Sequence, residues 1–129
     1  TEKGALMLAP CPHAGPCGLP DRDSEDWCHF SVRLPRTRSH KRLKGGALGY
    51  EDEKFSYLVL ARPEIDPIAP GARILSVPET SKHEIRLKLC ESDGTVTTRG
   101  FARRHPEFGR IRRARWGDMI PQGVGNGDQ

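Results

Sequence analysis

Aromatic residues make up only 6% of this 129-residue chain and apolar residues of all kinds 35%. A single modest core is therefore expected, of the size that often needs a disulfide or a metal to support it. Long hydrophobic runs are also missing. The longest near the start, Ala5 to Ala9, is far too short for a signal peptide or a membrane span, so no membrane partner is expected. Close cysteine pairs, spaced by about two to four residues as in many four-cysteine zinc sites, do not occur. Acids are absent from Arg33 to Lys44, and Glu107 is the one acid between Arg99 and Arg115. The chain opens on Thr1 and not on methionine, as expected of a piece of a longer protein.

What the chain does have is an unusual cysteine stretch. Cys11-Pro-His-Ala-Gly-Pro-Cys17 is followed by Trp27-Cys28-His29-Phe30, placing three of the four cysteines within eighteen residues. Pro10, Pro12, Pro16 and Pro20, with Gly15 and Gly18 between them, punctuate the run. Proline fixes φ and removes a donor, and glycine permits turns, so a shaped loop is expected over residues 10–28. Such a loop can aim several sulfurs at one point. The fourth, Cys90, lies in a segment with strand alternation.

Three chemistries suit these thiols. Disulfides need an oxidising compartment, and no secretory signal accompanies them. Zinc and an iron–sulfur cluster both take four thiolates, and the intervening lengths of five, ten and sixty-one residues fit no short zinc pattern. Spacing alone leaves cluster, zinc and disulfide open. His13 and His29 stand beside the cysteines and can replace a ligand, or more simply support one from outside.

The net charge of +4 hides two basic blocks. Arg33, Arg36, Arg38, Lys41, Arg42 and Lys44 form the first, and seven arginines between Arg99 and Arg115 form the second. Two acid-poor, arginine-rich blocks point to a polyanion such as RNA, since the guanidinium fork matches phosphate. Candidate RNA contacts in the second block are Arg103, Arg104, Arg110, Arg112, Arg113 and Arg115. Solvated charged faces are the plainer alternative.

Alternation and turn signals predict five or six short strands and little helix. Strands are expected at Ala5–Leu8, His29–Leu34 (ended by Pro35), Phe55–Ala61 (apolar on both faces, as in a buried strand), Arg73–Val77, His83–Cys90 and Thr95–Phe101. Pro78–Lys82 and Ser92-Asp93-Gly94 read as turns, and Arg62–Gly71 as a connector. Ser39 can cap a helical turn through Lys44 that Gly45-Gly46 stops, and Glu107–Arg115 can hold one or two turns more. The fold class is mainly β: a small antiparallel barrel or meander over residues 1–121, with a cysteine-rich loop at 10–28, a β region at 29–120 and a disordered tail at 122–129. A monomer is expected.

Smaller features have plain readings. Glu51-Asp52-Glu53-Lys54 could be an acid–base or magnesium site, but pairing with nearby arginines is simpler. Tyr50, Phe55 and Tyr57 could stack on bases, though the alternation of Phe55 and Tyr57 reads as core. Trp116 is expected to anchor the core and Trp27 to shield the cysteines. No catalytic constellation is present.

Several of these segments together resemble a known family. Ala9-Pro-Cys-Pro-His-Ala-Gly-Pro-Cys17, Asp26-Trp-Cys-His-Phe30, Arg33-Leu-Pro-Arg36, Lys44-Gly-Gly and Gly49-Tyr-Glu-Asp-Glu-Lys-Phe-Ser-Tyr57 run in one order, with Leu89-Cys90 and Ala114-Arg-Trp-Gly-Asp118 following. They look like the C-terminal part of the methyltransferase-like ribosomal small-subunit assembly family, which has mitochondrial and bacterial members. The resemblance implies a 4Fe-4S cluster on Cys11, Cys17, Cys28 and Cys90, in preference to Zn. It implies association with the small ribosomal subunit through its rRNA, in the mitochondrial matrix of a eukaryote or the cytoplasm of a bacterium. It also implies an upstream domain that binds S-adenosylmethionine, so the intact protein would resemble a methyltransferase. No strand–glycine-loop–helix unit precedes Cys11, and no methyl-donor site carries over. Gly18 stands where the family pattern usually has proline, a change expected to alter loop stiffness and not ligation.

Overall fold

The computed structural model describes residues 5–19, 27–37, 49–64 and 71–121. The expected helical turn at 39–44, with Arg38, Lys41, Arg42, Lys44 and the glycines after it, lies outside the described residues, as does the tail at 122–129. Among the described residues, 45% are strand and 4% helix. The order is β1 (Leu6–Ala9), β2 (Phe30–Pro35), β3 (Tyr50–Phe55), β4 (Val59–Ala61), β5 (Gly71–Ile74), β6 (Glu79–Thr80), β7 (Glu84–Cys90), β8 (Val96–Ala102), α1 (Phe108–Ile111) and β9 (Met119–Pro121). All pairing is antiparallel. The mainly β class stands, with no closed barrel among the described residues.

Strand β7 is the axis of a five-stranded sheet. One of its edges carries β8 in unbroken register from Glu84↔Ala102 to Cys90↔Val96. The other carries β6 near its start and β5 near its end, and β9 extends the sheet beyond β5. The β7–β8 turn forms where Asp93-Gly94 predicts it. Gly94 takes φ of 92°, which an L side chain resists, and Asp93 Oδ1 accepts from both Thr95 N–H and Thr95 Oγ1. Residues 78–82, expected as a turn, contain the two-residue strand β6. The turn that follows is closed by Ser81 N–H donating to Glu84 O.

Alternation gives the sheet two different faces. Ile85, Leu87 and Leu89 of β7 bury with Ala72, Ile74, Phe101, Ile120 and Ile111 of α1. Each fully buried Leu, Ile or Phe here contributes about 1.5–3 kcal/mol. Cys90, next along β7, turns to the opposite face and buries with Leu75 and Phe30. Half-buried Cys28, Tyr57, Val96 and Trp116 pack around that second cluster.

Two ribbons complete the described chain. β1 pairs with β4, and β2 with β3 from Phe30↔Phe55 to Pro35↔Tyr50. Here the structure corrects the expected strand at Phe55–Ala61. The strand before it is the acidic stretch Tyr50–Phe55, the ladder breaks at Ser56-Tyr57-Leu58, and β4 resumes at Val59. Leu58, Val59 and Leu60 are exposed, whereas their apolar character suggested burial. Pro35, expected to end its strand, is still paired with Tyr50. Proline is tolerated at the end of a two-stranded ribbon, where a missing N–H costs little.

Candidate functional site

The site lies on the second face of the sheet. Cys90 reaches it from the end of β7, and Cys28 from the residues entering β2. Cys11 and Cys17 come from the turn-rich segment after β1, as its prolines and glycines predict. All four are free: Cys90 is buried, Cys11 and Cys28 are half-buried, and Cys17 is exposed.

Two contacts hold the loop against the sheet. Arg73 is the cross-strand partner of Cys90. Its Nε donates to Pro10 O at 2.8 Å and its Nη1 to Gly117 O at 3.1 Å. One guanidinium thus ties the residue before Cys11 to the turn before β9. At the other end of the loop, a methyl group on Gly18 would run into Gly94 O, with Val96 N and Cγ2 at 3.2 and 3.3 Å. Gly18 is therefore a close-approach glycine against the β7–β8 turn. Between these anchors, His13 Nδ1 accepts from Gly15 N–H at 3.1 Å, and its buried Nε2 has no hydrogen-bond partner among the described residues.

Cys28 is held just as firmly. Ser56 Oγ donates to its carbonyl at 2.8 Å. On its flanks the Trp27 and His29 rings stack at 4.2 Å, and His29 meets Trp116 edge-on at 5.2 Å. Trp116 Nε1 donates to His29 O at 3.1 Å. The structure places His29 among indoles and backbone, and Trp116 in the second core cluster as expected. Trp27 is half exposed.

The thiols feel one another. Burial, followed by the charges of Cys11, Cys17, Cys28 and Glu91, pushes Cys90 up to about 12. Burial and then Cys17 raise Cys11, with Arg73 opposing. Burial and then Cys11 and Cys17 raise Cys28, with Lys88 opposing. Cys11, Cys28 and Cys90 so placed resist becoming anions together, and a bound cation reverses that balance. The donor set is all sulfur, which suits zinc or an iron–sulfur cluster and not a hard oxygen-seeking ion. As placed, no group of three or more His, Cys, Asp or Glu side chains among the described residues is arranged to hold a metal ion.

The basic candidates divide. Arg33 forms a two-pronged pair with Asp52, at 2.9 and 3.2 Å, and lies 3.9 Å over the Tyr50 ring. Arg36 pairs with Glu51 at 3.5 Å. Asp52 and Glu51 of β3 thus pair with Arg33 on β2 and Arg36 just after it, and Tyr50 already carries a guanidinium. Arg103 donates to Lys82 O and leans over Phe108. Arg104, Arg112, Arg113 and Arg115 are exposed, with no side-chain partner among the described residues. Arg110 pairs loosely with Glu107 at 3.6 Å. Arg110 and Arg113, three apart at α1, line one cleft of about 290 Å³ with Ala114, Asp118 and Met119.

Sequence reasoning missed Arg73, whose signal was a lone cation inside the apolar run Ala72-Arg73-Ile74-Leu75. It also missed that Asp118 accepts the backbone N–H of Arg115, at 2.9 Å, in the turn before β9.

Compared with curated proteins, the chain matches none significantly. A family model described as mitochondrial small ribosomal subunit Rsm22 matches residues 1–121, which takes in every described strand and all four cysteines. The chain belongs to the Rsm22 family.

Proposed function

We propose that this chain is an rRNA-binding domain of a small-ribosomal-subunit assembly factor, pinned by a 4Fe-4S cluster on Cys11, Cys17, Cys28 and Cys90. Family membership ties its work to the small ribosomal subunit, in the mitochondrial matrix where the source is eukaryotic. What supports the reading is that all four thiols are free, that Cys28 and Cys90 share one cluster on the second sheet face, and that Cys11 and Cys17 stand near enough to act on both through their charge. When bound, the cluster supplies iron–thiolate bonds that close the loop onto the sheet. Arg73, Gly18 and Ser56 set the loop, the hairpin turn and Cys28 in place for it. The arginines of residues 104–115 then present an exposed cationic surface beside a fixed scaffold.

Metal and sulfide analysis of the chain purified without oxygen tests the cluster. Iron with acid-labile sulfide is the expected result, and Cys28→Ser should lose both and lower the melting temperature. Zinc in place of iron would reassign the site. Four free thiols in a folded, metal-free chain would overturn it.

A further inference from the structure

A second cavity opens beside the cysteine site, lined by Phe30, Phe55, Tyr57, Trp116, Gly117 and Asp118. Its volume of about 340 Å³ lies at the small end of the about 300–1,000 Å³ usual for ligand sites, room for one planar group. The rings of Phe30, Phe55 and Tyr57 are tilted by 39–58° with centroids 5.2–6.2 Å apart. None is stacked flat on another, so their faces are not fully used among themselves. Phe55 is 39% exposed at the rim, whereas Phe30 is buried at 4%. Trp116 is held in orientation by its bond to His29 O.

Asp118 also lines the arginine cleft with Arg110 and Arg113. The aromatic cavity and the cationic cleft therefore share a wall. We propose that the pair forms one nucleotide site: the aromatic cavity takes an unstacked base of single-stranded rRNA, and the Arg110–Arg113 cleft takes an adjoining backbone phosphate. This rests on the rRNA-binding reading above and names where a base enters. Single-stranded RNA is held by this combination, a cationic track for phosphates with aromatic rings for bases. Asp118 Oδ2 is used by Arg115 N–H, and Oδ1 has no partner among the described residues. A carboxylate there accepts from an exocyclic amino group, which favours cytosine over an unsubstituted ring. A cationic protein side chain is the rival guest for a ring-lined cavity with an acid, but Arg110 and Arg113 across the shared wall repel it.

The experiment compares two end-labelled RNA probes on the chain prepared without oxygen: a cytidine octamer, and an octamer of equal charge with abasic riboses. The cytidine octamer should bind about 5- to 150-fold more tightly for one stacked base. Phe55→Leu, which keeps an apolar side chain at the rim but removes the ring, should shrink that gap and leave abasic binding unchanged. Equal affinity of the wild-type chain for both octamers would overturn the base cavity while leaving phosphate binding intact. Binding of neither octamer would sink the rRNA reading itself. Binding of an arginine-rich peptide in place of either octamer would assign the cavity to a protein partner and overturn the proposal.

Discussion

Arg73 donates its Nε–H to the carbonyl of Pro10 at 2.8 Å, across 63 residues of chain. It is the contact that carries the start of the cysteine loop to the sheet. The same guanidinium bonds Gly117 O and is the ladder partner of Cys90. Arg73→Ala should cost about 1.5–3 kcal/mol for each charged hydrogen bond lost, less whatever water restores. Urea denaturation of the metal-free chain checks this. Arg73→Lys should recover little, because one ammonium does not reproduce a planar fork reaching two carbonyls. Equal stability of all three chains would show that the loop docks without it.

Gly18 and Gly109 make opposite predictions. A side chain at Gly18 meets the backbone of Gly94 and Val96, whereas one at Gly109 in α1 meets nothing within 4 Å. Gly18→Ala should destabilise by about 1–3 kcal/mol through forced separation of loop and turn. Gly109→Ala should stabilise by up to about 1 kcal/mol, because glycine is a poor helix residue. Thermal melts of the two variants should therefore move in opposite directions.

The Arg33–Asp52 pair fixes a pH dependence. The hydrogen bond from Arg33, and then its charge, hold the Asp52 carboxyl below its ordinary 3.8. A group depressed on folding binds fewer protons folded than unfolded, so its contribution is present above 3.8 and lost as pH falls through the lower folded value. The stability difference between wild type and Asp52→Asn should be small near neutrality, as for any exposed pair, and vanish on acidification. A difference that grows as the pH falls would contradict the pairing.

For the arginines, the cleft decides which pair matters. Arg110 and Arg113 line it together, so Arg110→Ala with Arg113→Ala should reduce the salt slope of the proposed rRNA binding. The expected loss is about 0.7–0.9 per phosphate contact. Arg33→Ala with Arg36→Ala should leave that slope nearly unchanged and instead loosen the β2–β3 ribbon, since both arginines face acids. Equal effects from the two pairs would place β2 on the RNA surface as well.

Some of this was written locally in the chain. Ile85, Leu87 and Leu89 alternate with polar residues and Asp93-Gly94 follows, so strand, turn and returning strand were legible as period and turn chemistry. The same alternation put Cys90 on the face opposite Leu89. The bent loop around Cys11 and Cys17 followed from proline and glycine. The motif order that resembled a small-subunit assembly family agrees with the family match over residues 1–121.

Other features depended on where distant segments meet. Leu58-Val59-Leu60 looked like core, yet they lie exposed on a two-stranded ribbon, because apolar content signals strand but not what covers it. Glu51-Asp52-Glu53 read as acids that pair with nearby arginines, and Glu51 and Asp52 do so. That the stretch is itself a strand depended on β2, which lies 15 or more residues earlier and pairs along it. The sequence by itself determined the β class, the hairpin around Gly94 and the supply of four sulfurs, since each depends on residues near one another in the chain. Only the tertiary structure decided that Arg73 anchors Pro10, that Gly18 abuts Gly94, and that Asp118 divides an aromatic cavity from an arginine cleft. Those contacts join segments separated by tens of residues, and no local period encodes how the intervening chain returns.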